Sequence, residues 1–171
     1  MDEKQRQLEW PRWLEEHASK FLLFARQQTR SEADAQDLVQ ESVLEAIQRR
    51  GEHTPPPPAL VFATIHRRAI DLARRNGRRA GRENAAFAEP PEPWFDTSVE
   101  DRERALLIQC AMAKLPEIYR QVVTLKLWGG LSFAEIAGTL CIPANTAASR
   151  YRYALVELRK QMVCSYERVR A

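Results

Sequence analysis

Thr146, Ser149, Arg150, Arg152 and Tyr153 follow one another closely near the carboxyl terminus and supply hydroxyl and guanidinium donors. Such donors meet base edges and phosphate oxygens when they share one face of a slim helix. A second cationic group, Arg67, Arg68, Arg74 and Arg75, continues into Arg78, Arg79 and Arg82 and offers a surface for an anionic polymer. The opposite charge gathers upstream, where Asp34, Asp37, Glu41 and Glu45 recur at helical spacing with Gln36 and Gln40 beside them. Carboxylates aligned without Lys or Arg among them repel one another, which suits a basic partner surface; a merely solvated face is the plainer alternative. No nucleophile elbow, phosphate-binding loop or glycine-rich dinucleotide loop is legible, so no enzymatic chemistry and no cofactor is expected. Cys110, Cys141 and Cys164 are scattered and form no CxxC pair, as are His17, His53 and His66, so neither a disulfide framework nor a metal site is indicated. Cys110 and Cys141 read as small core residues.

The elements that must position these groups are helices. In LSFAEIAGTLCIPANTAASRYRYALVELRK (Leu131 to Lys160), Ser132 and Glu135 form a capping box that opens a short helix burying Phe133, Ile136, Ala137 and Leu140. Cys141 and Ile142 make the turn, and Pro143 suits the first position of the next helix, where its missing N–H has no partner to lose. That helix collects Ala147, Tyr151, Ala154, Leu155, Leu158 and Met162 on one side and Asn145, Thr146, Ser149, Arg150, Arg152 and Tyr153 on the other. An ordinary surface hairpin would also expose Arg and Ser. The coincidence of cap, tight turn and outward donors favours a helix-turn-helix that reads DNA. Arg152 projects centrally from the donor face, whereas Arg150 sits nearer its buried edge.

Upstream, a helix is expected from about Trp13 to Gln28 with Leu14, Ala18, Phe21 and Ala25 on one face. A second opens at Ser31 and buries Ala35, Leu38, Val39, Ser42, Val43, Ala46 and Ile47. Gly51 to Pro58 (GEHTPPPP) stops it in a stiff, extended loop. A third runs from about Ala59 to Arg75, with Val61, Phe62, Ile65, Ala69 and Leu72 inward and its arginines outward, and Asn76-Gly77 ends it. Residues 83–101 are acidic and proline-bearing without Lys or Arg, which reads as a linker; its Phe87, Trp94 and Phe95 imply that it docks on its own domains or in a partner's groove. Helices then run to Leu115 and from Glu117 to Trp128, the latter with Ile118, Val122 and Leu125 inside. The fold class is therefore all-α: two small helical domains, 1–82 and 102–171, joined by an acidic linker over 83–101. With 44% hydrophobic residues, a net charge of +3 and a pI near 8.9, the chain can build packed cores and attract an anionic polymer. No apolar run is long enough to cross a bilayer and the amino terminus lacks a signal-peptide layout, so a cytoplasmic protein without membrane insertion is expected.

Two blocks of this chain resemble the extracytoplasmic-function class of bacterial RNA polymerase sigma factors, within the sigma-70 superfamily. DAQDLVQESVLEAI (Asp34 to Ile47) is similar to the helix by which sigma region 2 grips the polymerase clamp, and RRAIDLARR (Arg67 to Arg75) to the helix beneath the melted −10 element. Leu115 to Lys160 is similar to region 4, which reads the −35 element. The resemblance implies a region 2-like bundle and a region 4-like helix-turn-helix, with core RNA polymerase and promoter DNA as partners. It places core-polymerase contacts on Asp34, Asp37, Gln40 and Glu41, −10 contacts on Phe62, Arg67, Arg68, Arg74 and Arg75, and −35 contacts on Thr146, Ser149, Arg150, Arg152 and Tyr153. Many members are held inactive by an anti-sigma factor wedged between the two domains, a further partner the resemblance admits. Departures from the family pattern are Gln36 in place of the common acid, Cys141 where helix-turn-helix units usually carry Gly, Ala148 in place of a cation, and the prolines Pro55 to Pro58 where the family has the loop that captures a flipped −10 base. The competing readings are a stand-alone helix-turn-helix regulator, which needs no acidic clamp-binding helix, and a sigma-like decoy that occupies polymerase or a regulator without supporting initiation, which the proline loop and Ala148 keep open.

Overall fold

The computed structural model describes residues 3–51, 54–80, 93–95 and 101–170, with side chains described over 9–51, 54–75, 93–95 and 101–162. The helices in chain order are α1 (Glu3–Arg26), α2 (Glu32–Arg50), α3 (Pro58–Ala80), α4 (Arg102–Ala113), α5 (Glu117–Leu127), α6 (Phe133–Leu140) and α7 (Ala144–Arg170), and no strand occurs among the described residues. The chain divides into two compact units, 1–92 and 93–171. Most of the acidic linker expected over 83–101 lies outside the described residues, Phe87 included, as do the side chains of Arg78, Arg79 and Cys164, and Arg82 altogether.

The first unit is a three-helix bundle in which α1, α2 and α3 all touch one another. Its centre is aromatic. The Phe62 ring meets Phe21 edge-on at 4.9 Å and Phe24 at 5.5 Å, and all three rings are at most 1% exposed. Edge-to-face rings place a positive rim against a negative face, which adds to the apolar area removed from water. Phe62 is thereby withdrawn from the surface, which corrects its expected place among the −10 contacts. On α1 the buried stripe also differs from expectation. Leu14 is 42% exposed and Ala18 lies on the surface, because the stacked row is Trp13, His17 and Phe21, with ring centroids 5.4 to 5.9 Å apart. Burial pushes the His17 imidazole below its ordinary value, Glu16 opposing and Lys20 assisting. The helix begins well before Trp13 and carries Pro11 within it, so the lost N–H did not start the element.

Helix α2 begins as the sequence implies: the Ser31 hydroxyl accepts a 3.1 Å bond from the Asp34 N–H. Ala35, Leu38, Ser42 and Ala46 form its buried row, and the Ser42 hydroxyl donates to the Leu38 carbonyl at 2.6 Å. Gly51 closes it at φ 88°, a left-handed value that a side chain would resist. Pro58 is the first residue of α3, and Pro56 just before it is buried. The third helix runs on through Asn76-Gly77 to Ala80, so this Asn-Gly pair is not its end.

In the second unit α4, α5 and α6 all lie against α7, and α5 also meets α6. Met112, Leu115, Val123 and Ala154 form a buried cluster, with Ile108, Tyr119, Trp128, Tyr151 and Leu158 against it. Trp94 joins the same cluster. Its backbone N–H donates 2.9 Å to Gln109 Oε1, the Arg120 guanidinium lies 5.7 Å from its ring centroid, and Phe95 stands 5.7 Å from Trp128. These two aromatics of the linker stretch thus dock on the second unit itself. Ile118, expected inside α5, is 45% exposed. Between α5 and α6 the chain turns tightly, and a Cβ on Gly129 would lie 2.5 Å from the Leu125 carbonyl oxygen, so only glycine fits there.

Candidate nucleic-acid and polymerase interfaces

On the first unit the acidic row and the basic arc face each other across one groove. Asp34, Asp37, Leu38 and Glu41 line one wall, and Arg67, Arg68, Asp71, Leu72 and Arg75 the other, enclosing about 380 Å³. The arrangement follows from helix packing: α2 buries Leu38, Ser42 and Ala46 in the bundle and lies against α3, which brings its flanking carboxylates within reach of the arginines of α3. Glu45 is the hub. Its carboxylate receives Arg68 Nε at 2.8 Å, Arg67 Nη2, and Arg49 Nη2 at 2.6 Å, and its side chain is only 17% exposed. Burial pushes the Glu45 carboxyl up, but the hydrogen bonds from Arg68 and Arg67, together with the charges of Arg67 and Arg49, hold it below the usual carboxylate range. Arg68 also reaches Glu41 through Nη1. The carboxylate stripe is therefore not uncompensated, as the sequence of α2 alone suggests. Bases from another helix supply its counter-charge.

The rest of the row stays open. Asp37 and Gln40 are exposed and Asp34 is half-buried beside the Ser31 cap. Gln36, the departure from the family pattern, donates 2.9 Å to Glu32, which also receives a two-pronged bond from Arg26 at 2.8 Å on each prong. On α3, Arg74 and Arg75 are exposed, Arg74 lying 3.9 Å from Asp71. Arg75 has no carboxylate partner among the described residues. The sequence places Glu45 in the acidic row as a face for a basic partner and assigns nothing to Arg49, which pairs with it one turn away. Their i,i+4 spacing was a signal, but the partners across the groove were not visible in it.

On the second unit the capping box is present in both halves: the Ser132 hydroxyl accepts from the Glu135 N–H at 3.2 Å, and Glu135 Oε2 accepts from the Ser132 N–H at 2.8 Å. The hydrogen bonds from the Ser132 hydroxyl and backbone hold the Glu135 carboxyl below its ordinary range. Ile136, Thr139 and Leu140 are buried, while Phe133 stays half-buried with its ring 5.6 Å from Tyr151 and 4.9 Å from the Lys126 ammonium. Cys141 takes φ 54° and ψ 46°, the left-handed turn that lets α7 cross α6. It is exposed, and so is Cys110, which corrects the reading of both as core residues: the turn apex faces solvent. Helix α7 starts at Ala144, one residue after the expected position, with the Pro143 carbonyl accepting from Thr146 and Ala147 at 3.0 Å.

Along α7, Ala147 and Ala154 are fully buried and Tyr151 and Leu158 half-buried, so the apolar row holds the helix down. Leu155 and Met162, placed on that row by periodicity, are 40% and 50% exposed because they lie at its margin. The donor face is open. Arg152 is exposed with Nη2 3.5 Å from Ser149 Oγ, Tyr153 is 64% exposed, and Thr146, Ser149 and Arg150 are half-buried. Among the described residues no helix is long and apolar enough to cross a membrane, and no cluster of His, Cys, Asp or Glu could hold a metal ion.

A helical bundle with an acid–base groove and a separate helix-turn-helix define a two-unit, DNA-directed, all-α protein. Residues 13–79 match the family model of Sigma-70 region 2, and residues 105–158 that of Sigma-70, region 4. The ECF RNA polymerase sigma factor SigL of Mycobacterium tuberculosis is 32% identical over 148 residues, covering 85% of this chain and 84% of its own. SigK of Mycobacterium ulcerans, also an ECF RNA polymerase sigma factor, is 32% identical over 107 residues, covering 60% of this chain and 57% of its own. The same fold occurs in the sigma factor RpoE of Bartonella quintana, solved with the anti-sigma factor NepR, at TM-score 0.65 and 20% identity over 90% of this chain and 96% of that one. It occurs also in CnrH, solved with the cytosolic domain of CnrY, at TM-score 0.61 and 20% identity over 90% and 87% of the two chains. The chain belongs to the ECF RNA polymerase sigma factors.

Proposed function

We propose that the first unit docks on core RNA polymerase through Asp34, Asp37, Gln40 and Glu41 and tracks promoter phosphates near the −10 element with Arg67, Arg68, Arg74 and Arg75. The second unit reads the −35 element with the donor face of α7. The observation that supports this division is the groove of the first unit, where a wall of acids faces a wall of arginines. Phosphate contacts of this kind supply salt-dependent affinity without sequence information, and base-edge contacts in the major groove supply the discrimination. In this reading the chain works by binding in the cytoplasm, the chemistry of RNA synthesis belonging to the polymerase. An anti-sigma factor, the kind of partner with which RpoE was solved, is part of the same proposal.

The test replaces Asp37 and Glu41 together by Lys and measures co-purification with bacterial core polymerase, with circular dichroism as the control for folding. The expected result is loss of co-purification at unchanged helicity. Retained binding sinks the docking assignment.

A further inference from the structure

The double engagement of Arg68 has a consequence for when it can hold DNA. Its Nε donates 2.8 Å to Glu45 and its Nη1 is taken by Glu41, two carboxylates one turn apart on α2. Carboxylate and phosphate oxygens compete for the same guanidinium donors, so an arginine whose fork is filled by carboxylates is poorly placed to grip a phosphate. The two pairs differ in durability. The Glu45 side chain is 17% exposed and shares three arginines, whereas the Glu41 side chain is 61% exposed and holds Arg68 alone among the described residues. Exposed ion pairs are weak and exchange readily.

We propose that Glu41 is an exchangeable gate on Arg68: in the free chain it fills the guanidinium edge that promoter phosphate needs, and a cationic polymerase surface that takes Glu41 releases that edge for DNA. The proposal rests on the docking and phosphate roles assigned above. Glu45 keeps Arg68 aimed along the groove in both states, and Glu41 alone changes partner. Linkage makes the effect reciprocal, so DNA on Arg68 strengthens polymerase docking on Glu41 by the same factor. An exposed pair limits that factor to roughly two- to fivefold. Arg75, with no carboxylate partner among the described residues, leaves the free chain a weak basal affinity for nucleic acid.

The experiment measures binding of the full-length free chain to a fluorescent mixed-sequence single-stranded oligonucleotide at low salt, for wild type, Glu41→Gln, Arg68→Ala and the double variant. Asp37→Asn serves as the matched charge change, since Asp37 belongs to the same wall but has no basic partner among the described residues. The gate predicts that Glu41→Gln tightens binding by about two- to fivefold, that Asp37→Asn tightens it less, and that Arg68→Ala erases the gain. An equal gain from Asp37→Asn, a gain that survives in the Arg68→Ala background, or no oligonucleotide binding by any variant overturns the gate. Wild-type co-purification with core polymerase is scored in parallel. Its failure removes the docking assignment, and its success with no coupling in the cycle removes the gate alone.

Discussion

Arg68 donates from Nε to Glu45 Oε2 at 2.8 Å, joining α3 to α2 across the edge of their shared core. Because Arg67 and Arg49 share that carboxylate, the contact is a small network rather than an isolated surface pair. Networks of this kind tie a hydrophobic interface to one register, since α2 and α3 cannot slide without separating opposite charges.

Replacing Glu45 by Gln should therefore destabilise the first unit at neutral pH by about 1 kcal/mol, a figure held down by residual solvent screening. The folded-state pKa of Glu45 lies below its reference of 4.5, so the stabilisation is present above that value and is lost as pH falls through the lower folded value. Urea titrations followed by circular dichroism at neutral pH and at pH values below the reference should show the gap between wild type and variant closing in acid. A gap that is constant with pH would mean that Glu45 acts by packing and not by charge.

Cys141→Gly should stabilise the second unit. A left-handed backbone costs a residue bearing a Cβ about 1–2 kcal/mol, and glycine returns part of that gain through its freer unfolded chain, leaving a net of about 0.5–1 kcal/mol. The exposed thiol lies 3.9 Å from the Gly138 carbonyl and little packing goes with it. Differential scanning calorimetry should show a higher transition temperature for this unit, and an unchanged or lower one would show that the turn carries no strain.

Trp94→Ala should also act on the second unit. It removes the ring beneath Arg120 and an apolar partner of the Met112, Leu115, Val123 and Ala154 cluster, at a cost of about 2–3 kcal/mol for a half-buried indole. Amide hydrogen exchange should speed up in α4 and α5, which hold Gln109 and Arg120. Exchange unaltered in both helices would show that the docked linker residues contribute nothing to the fold.

Arg152→Ala should relax base preference at one or two neighbouring positions of the −35 element, losing about 1–3 kcal/mol of discrimination if its guanidinium grips a guanine. Selection from a randomised −35 pool with wild-type and variant holoenzymes reads this directly. A uniform loss of affinity across sequences would assign Arg152 to phosphate and leave Ser149 and Thr146 as the readers.

What the sequence determined by itself is what local chemistry determines. Ser31 and Ser132 cap their helices through hydroxyl-to-backbone bonds that need only neighbours within one turn, and both are legible from spacing. The outward face carrying Arg152 and Tyr153 follows likewise from helical periodicity. The family resemblance was carried by residue patterns of the same local kind. Tertiary structure decided matters that depend on residues far apart in the chain. Periodicity put Leu14 and Ile118 inside, but a helix stripe is wider than the neighbour that covers it, and the packing of Trp13, Phe21 and Val122 left those side chains outside. The aromatics of the linker could have docked anywhere, and Trp94 and Phe95 found Arg120 and Trp128. Most of all, the acids of α2 and the arginines of α3 each looked like a face awaiting a separate partner. Only the apposition of the two helices in the bundle turned Glu45 and Arg68 into partners of one another, because a Coulomb interaction depends on distance in space and not on separation along the chain.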